Sequence, residues 1–301
     1  MADTVAPGTV LLDGATGTQL RASGARVPSH KTSIWSAAAL LEAPRAVVDV
    51  HAAYLRAGSD VITTNSYAVT PPLLAREGLE SRLEELVGTS VELARAAVEA
   101  AGRPARVAGS VPPLETSYRA DRVPADAVLR ETYGRIVGAL AGGVDLLLVE
   151  TMSCAREARI AAECALESGR EVWLSLTLQG NRPRTLPGGE PLEEVLEDVA
   201  ELPVAALLVN CCGVNLAADA LGPLAAAAGG RPFGTYANAD EVLPGAFDPL
   251  DPEEVPRRSL GPDAWASAAA EWITAGATVV GGCCDTTPEH IAALAAVSRP
   301  P

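Results

Sequence analysis

Eight times along the chain, a short continuous apolar run precedes a segment of helical periodicity. The runs are residues 9–14, 60–65, 105–110, 145–150, 171–176, 204–210, 232–236 and 277–281. The periodic segments are 44–57, 83–101, 125–140, 154–167, 192–200, 216–228, 262–274 and 288–297. The runs do not alternate polar with apolar, so both faces of each strand are expected to be buried, as in a parallel sheet covered by helices. Eight such units in 301 residues predict an α/β chain forming a single (β/α)8 TIM barrel, one domain over residues 1–301. A doubly wound open sheet is the alternative. It would carry a glycine-rich dinucleotide turn after the first strand, and Asp13-Gly14-Ala15-Thr16-Gly17 fits that fingerprint poorly. Residues 15–43, 111–122 and 240–261 read as loops, the last long, acidic and proline-rich.

A barrel of this kind places its functional groups at the carboxyl ends of the strands. Those ends carry Asp13, Thr64-Asn65, Ser110, Glu150, Cys211, Tyr236 with Asn238 just beyond it, and Cys283-Cys284. Acids, amides, a hydroxyl and thiols thus converge on one rim. Gly281 and Gly282, immediately before the paired cysteines, are expected to let backbone or ligand approach closely. Thr287 and Pro288 then read as the N-cap and first residue of the last helix. Asp13 and Glu150 also suit helix-capping acids, and Asn65 a turn cap.

The six cysteines are Cys154, Cys164, Cys211, Cys212, Cys283 and Cys284. Cys154 and Cys164 fall inside a helix and are expected to pack in the core. Cys212 points away from Cys211 if the strand persists and is expected to do the same. Cys211, Cys283 and Cys284 come from separate strand ends, a pattern that favours metal binding in a reducing compartment. The competing reading is a vicinal Cys283–Cys284 disulfide, which needs a strained ring. His30, His51 and His290 fall in a loop or on helices, where solvated roles are expected.

A net charge of -15 and a pI near 4.7 argue against nucleic acid or an anionic membrane as partner. The start of the chain has no basic and apolar leader pattern, and no apolar run is long enough to span a bilayer. A cytoplasmic protein acting on small molecules is expected; the oligomeric state is left open. Lys31 is the only lysine and lies in a loop, which disfavours a Schiff-base aldolase on this scaffold. A phosphate site using Gly281-Gly282 would leave the adjacent cysteines unexplained. A non-catalytic zinc or thiol-binding protein would leave Asp13 and Glu150 without a role.

Six segments, in order and spanning nearly the whole chain, resemble the homocysteine S-methyltransferase family. They are Leu11-Leu12-Asp13-Gly14-Ala15-Thr16-Gly17-Thr18, Thr63-Thr64-Asn65-Ser66-Tyr67, Gly109-Ser110-Val111, Glu150-Thr151, Val209-Asn210-Cys211 and Gly281-Gly282-Cys283-Cys284. The family includes S-methylmethionine- and betaine-dependent enzymes and the homocysteine domain of cobalamin-dependent methionine synthase. The resemblance implies a zinc-containing barrel whose zinc (Zn2+) thiolates are Cys211, Cys283 and Cys284. It also implies that Asn238 fills the open coordination position in the absence of substrate, as in the methionine synthase branch. Asp13 and Glu150 would hold the amino group of homocysteine, with Asn65 and Ser110 also on the substrate. Betaine enzymes carry a tyrosine directly after the fourth-strand glutamate, where this chain has Thr151. The expected reaction is therefore methyl transfer from a sulfonium, S-methylmethionine first and S-adenosylmethionine second, to homocysteine. The loop 112–118 is expected to close over the donor, with Tyr67, Tyr118 or Tyr236 able to face the sulfonium.

Overall fold

The structure, a computed structural model, describes residues 8–29, 32–115, 117–178, 180, 182–245 and 255–299. His30, Lys31, Thr116 and residues 246–254 of the long acidic loop lie outside the described residues.

Eight parallel strands form the barrel: β1 (Val10–Leu11), β2 (Val61–Thr63), β3 (Arg106–Val111), β4 (Leu146–Met152), β5 (Glu171–Thr177), β6 (Ala206–Asn210), β7 (Phe233–Ala237) and β10 (Val279–Gly282). Around the sheet the order is β1-β10-β7-β6-β5-β4-β3-β2. The β1–β2 seam is joined outside the regular ladder. The Asp60 amide donates to the Leu11 carbonyl at 2.7 Å, and the Leu11 amide donates to the Asp60 carboxylate at 2.9 Å. Two further strands, β8 (Asp240–Val242) and β9 (Arg257–Ser259), form an antiparallel pair beside the barrel mouth.

The apolar runs are continuous because they serve two cores. Leu146, Leu148, Trp173, Ala206 and Leu208 pack with Leu12, Val61 and Val279 in one cluster. Their neighbours Leu147, Val149, Leu174, Leu207 and Val209 belong to the other, shared with the helices. Residues one apart face opposite sides of a strand, so apolar residues follow one another along the body of each strand. Continuing the inner parity toward the carboxyl ends gives Ser110, Glu150, Ser175, Thr177 and Asn210, all buried and all polar. The barrel interior thus changes from hydrocarbon to hydrogen-bonding groups one residue pair below its mouth.

The helices α3 (Pro44–Ala57), α5 (Leu83–Ala101), α6 (Asp126–Ala141), α7 (Ala155–Glu167), α8 (Leu192–Asp198), α9 (Val214–Ala228), α10 (Pro262–Thr274) and α11 (Pro288–Ser298) fall where the periodicity places them. Three short ones were not expected: α1 (Thr16–Ala22), α2 (Ala38–Glu42) and α4 (Pro71–Ala75). Two of these lie in the stretch 15–43 read as a loop. None exceeds two turns, so none presents a repeating apolar stripe. The loop 240–261 likewise contains the β8–β9 pair. Cys154 sits at the N-cap position of α7 and not inside it, although it is buried as expected. No helix among the described residues is long and apolar enough to cross a membrane.

Two histidines differ from expectation. His290 is buried at the start of α11, where its Nδ1 accepts the Thr287 amide at 3.2 Å in a capping box. His51 is fully buried on α3, and neither ring nitrogen has a hydrogen-bond partner. Burial lowers its pKa from 6.5 to about 4. The folded protein therefore excludes a proton that the unfolded chain accepts, and stability is lost as pH falls from about 6.5 toward 4, by roughly 3 kcal/mol. Replacing His51 by Leu is expected to narrow the drop in Tm between pH 7 and pH 4.5. An unchanged drop in thermal unfolding would contradict this assignment.

Candidate active site

Cys211 follows β6, and Cys283 and Cys284 follow β10; in the sheet, β7 lies between these two strands. The segment after β7 stitches them together. The Cys283 amide donates to the Ala237 carbonyl at 2.8 Å, the Asn238 amide to the Cys212 carbonyl at 2.9 Å, and the Ala239 amide to the Cys284 carbonyl at 2.9 Å. The Asn238 side-chain oxygen accepts the Cys284 amide at 3.1 Å, and the Trp265 indole donates to the Asn238 carbonyl at 3.1 Å. Asn238, expected at the open coordination position, therefore has its side-chain oxygen on the backbone of a cysteine. All six cysteines are free thiols. Cys212 lies in the outer core as expected, its thiol pushed up to about 12 by burial.

The sulfurs of Cys211, Cys283 and Cys284 lie within 4.8 Å of one another, and Cys211 Sγ is 3.7 Å from Cys284 Sγ. Tetrahedral zinc with Zn–S bonds of about 2.3 Å requires sulfurs roughly 3.8 Å apart, so the triad has the spacing of a three-thiolate metal site. Hydrogen bonds from Cys283 and Cys284 lower the pKa of Cys211, while those with Cys211 and Cys284 raise that of Cys283. Without a cation the cluster favours one thiolate shared among three sulfurs. The Tyr118 hydroxyl completes the arrangement, 2.8 Å from Cys211 Sγ and 3.2 Å from the Cys211 carbonyl, to which it donates.

Two carboxyl groups share this cavity. Asp13 accepts the Thr63 amide at 2.8 Å and the Thr63 hydroxyl at 3.0 Å. Glu150 accepts the Ser110 hydroxyl at 2.5 Å and the Tyr236 hydroxyl at 3.2 Å. Each is raised to about 7. For Asp13 the cause is burial, offset by the Thr63 hydrogen bonds and reinforced by Glu150. For Glu150 it is burial, offset by its two hydroxyls and reinforced by Cys284. Neither acid caps a helix. Ser110, expected on the substrate, is engaged with Glu150. Asn65 lines the cavity, donates to the Ser36 carbonyl at 3.0 Å, and leaves its side-chain oxygen without a partner.

The cavity has a volume of about 330 Å³. Its lining includes four acids (Asp13, Glu115, Glu150 and Asp285), the rings of Trp35, Tyr67, Tyr118 and Tyr236 and, among the described residues, no lysine, arginine or histidine. Pro113, Glu115, Ser117 and Tyr118 line one side, and their neighbours are pinned there. Buried Glu157 accepts the Leu114 amide at 3.0 Å, the Tyr133 hydroxyl lies 3.1 Å from the Pro112 carbonyl, and the Tyr118 amide donates to Ser153 Oγ at 3.2 Å. Trp35, Tyr118, Thr151, Cys211 and Asp285 all line the cavity at positive φ, between 44° and 67°. Left-handed backbone at a non-glycine residue costs about 1–3 kcal/mol, so strain is concentrated where the groups converge.

Several of these parts have roles that the sequence does not display. Asn210 reads in the sequence as a strand end within the segment Val209-Asn210-Cys211. Its side-chain oxygen accepts the Thr151 amide at 3.0 Å and the Ser175 hydroxyl at 2.7 Å, and its amide donates to the Thr151 hydroxyl at 2.8 Å. It thereby holds the residue after Glu150 in its strained conformation. Trp35 lay in a presumed loop and carried no periodic signal. Gly281 and Gly282 do serve close approach, but of the chain itself: a Cβ at either would collide with Leu12 or Thr286.

The raised acids make a prediction. Glu150 is protonated in the folded protein at pH 5 and ionised in the unfolded chain above about pH 4.5, so its cost to stability grows as pH rises toward 7 and is then complete. Both its partners are hydroxyls that can turn to accept from an amide. In metal-free protein, Glu150→Gln is expected to match wild type at pH 5 and to exceed it at pH 8, by up to roughly 3 kcal/mol. Equal stabilities at pH 8 in denaturant titrations would contradict a buried, unpaired carboxylate.

The homocysteine S-methyltransferase family model matches residues 10–298. The Escherichia coli homocysteine S-methyltransferase is 35% identical over 96% of this chain and 95% of its own. Homocysteine S-methyltransferase 4 of Zea mays is 32% identical over 98% and 90%. Among solved structures, the metallated form of the E. coli homocysteine methyltransferase MmuM superposes with a TM-score of 0.79 at 33% identity, covering 96% of both chains. The chain belongs to the homocysteine S-methyltransferase family and is, with it, a methyltransferase.

Proposed function

We propose that the enzyme transfers a methyl group from a sulfonium donor, S-methylmethionine in the first place, to the thiol of L-homocysteine, and that it uses zinc held by Cys211, Cys283 and Cys284. The observation that carries the reading is the pairing in one cavity of three convergent thiols with two buried acids that have, among the described residues, no basic neighbour in the lining. The reading takes residues 1–301 as one homocysteine-binding barrel domain.

Zinc bound by three thiolates leaves one position exchangeable and would hold the homocysteine sulfur there as thiolate, the nucleophilic form that a free thiol of pKa about 8.5 scarcely populates at neutral pH. Asp13 and Glu150 take the homocysteine ammonium and so fix the sulfur relative to the cysteines. The ammonium supplies the positive charge that both carboxylates lack, and charge-assisted hydrogen bonds are the strong ones. Ser110, Tyr236 and Thr63 orient the acids. Asn65 presents a buried acceptor to a ligand N–H. The Tyr118 hydroxyl stands against Cys211 Sγ, and the Asn238 side-chain oxygen, which accepts the Cys284 amide, would steady the cysteine turn.

In the transfer, the bond between methyl carbon and donor sulfur breaks and its electron pair stays on that sulfur. The sulfonium becomes a neutral thioether as the homocysteine sulfur bonds the methyl carbon. Such a displacement depends on positioning in line. The lining suits a cationic donor: beyond Asp13 and Glu150 it includes Glu115 and Asp285, and the rings of Tyr67 and Tyr118, a residue type that attracts cations, also line it. A volume of about 330 Å³ lies at the low end of small-molecule sites, about 300–1,000 Å³. Two amino-acid ligands suit it better than homocysteine with an adenosyl donor.

The test incubates zinc-loaded protein with homocysteine and S-methylmethionine and counts methionine. Two methionines per turnover are expected, because donor and acceptor both end as methionine. Asp13→Asn is expected to raise the homocysteine KM by roughly 10–100-fold, the worth of a hydrogen bond to a charged group, while retaining zinc. Zinc-replete protein that forms methionine only from another donor would overturn the donor assignment. Zinc-replete protein that forms none from any donor would overturn the reaction.

A further inference from the structure

Thr286 is buried at 1% exposure and does not line the cavity. Its hydrogen bonds nevertheless join the two halves of the site. The Thr286 hydroxyl donates to the Cys283 carbonyl at 2.7 Å and accepts the Ala15 amide at 3.1 Å. The Thr286 amide donates to the same Cys283 carbonyl at 3.1 Å. Behind it, the Tyr54 hydroxyl lies 3.0 Å from both the Thr286 and the Ala15 carbonyls. Glycines make the room: a Cβ at Gly14 would stand 2.6 Å from the Thr286 hydroxyl, and one at Gly282 would overlap it. The Gly282 amide, in turn, donates to the Asp13 carbonyl at 3.0 Å.

We propose that Thr286, backed by Tyr54, is a positioning residue that locks the Cys283–Cys284 turn to the Asp13–Ala15 segment, so that metal affinity and homocysteine affinity both depend on one buried hydroxyl. The hydroxyl is used in both directions, as donor to the cysteine turn and acceptor from the acid-bearing segment. Valine has nearly the same shape and can do neither. It would leave the Ala15 amide without its partner and the Cys283 carbonyl with only the Thr286 amide. The turn could then relax away from Cys211, and Asp13, two residues before Ala15, would move with its own segment. Hydrogen bonds that support metal ligands are commonly worth 10–100-fold in metal affinity.

The proposal rests on the zinc site proposed above, and the test separates the two. Zinc affinity of the reduced, metal-free chain is measured by competition with a chromophoric chelator, with folding checked by circular dichroism. KM is then measured for each substrate. Thr286→Val is expected to weaken zinc binding by roughly 10–100-fold and to raise the KM for homocysteine, with that for S-methylmethionine little changed. Thr286→Ser, which keeps the hydroxyl, is expected to stay within about threefold of wild type. Should the valine variant fail to fold, Tyr54→Phe removes only the supporting hydroxyl and is expected to weaken zinc roughly 2–10-fold. A folded valine variant with wild-type zinc affinity would overturn the proposal alone, as would a serine variant that loses as much as valine. A wild-type chain that takes up no zinc would overturn the reading of the site and this proposal with it.

Discussion

Five groups able to carry negative charge, the Asp13 and Glu150 carboxyls and the thiols of Cys211, Cys283 and Cys284, share a cavity in whose lining no basic side chain stands among the described residues. Burial makes ionising them costly, and the acids rise to about 7, with a smaller push from Glu150 on Asp13 and from Cys284 on Glu150. Positive charge from outside relieves the cost. A divalent metal suits the sulfurs and an ammonium suits the carboxyls, so the same feature that destabilises the empty site makes it selective.

Holding such groups together requires a stiff frame. The barrel supplies it by burying hydrocarbon on both faces of every strand and ending its interior in a layer of hydroxyls and amides. Above that layer, side chains tie neighbouring strand ends to one another. Asn210 binds the end of β6 to those of β4 and β5, Asn238 sits between the two cysteine segments, and Thr63 joins β2 to Asp13. The left-handed residues at the cavity wall persist because these ties over-determine them.

Much of this was legible in the sequence. The eight short apolar runs identified the barrel because a two-sided core leaves no alternation of polar and apolar residues along the body of a strand. Cys211, Cys283 and Cys284 stood out because thiols at separate strand ends have few structural uses. What stayed hidden has physical reasons. The short helices after β1 lack enough turns to show a period. Trp35 reaches the cavity from one of those connections. His51 looked solvated because its burial depends on the helices packed around α3, which local pattern does not encode. Asn210 and Thr286 were visible as letters, but their roles depend on partners distant in the chain: Thr151 and Ser175 for Asn210, Ala15 for Thr286.

The most direct test of the account is a titration of the reduced, metal-free protein with cobalt(II), a spectroscopic substitute for zinc, followed by homocysteine. The account predicts a single equivalent bound per chain with strong sulfur-to-metal charge-transfer absorption, which gains intensity when homocysteine adds a fourth sulfur. It also predicts that Asp13→Asn keeps the first change and needs more homocysteine for the second. Cobalt bound without sulfur absorption, or a spectrum indifferent to homocysteine, would contradict it.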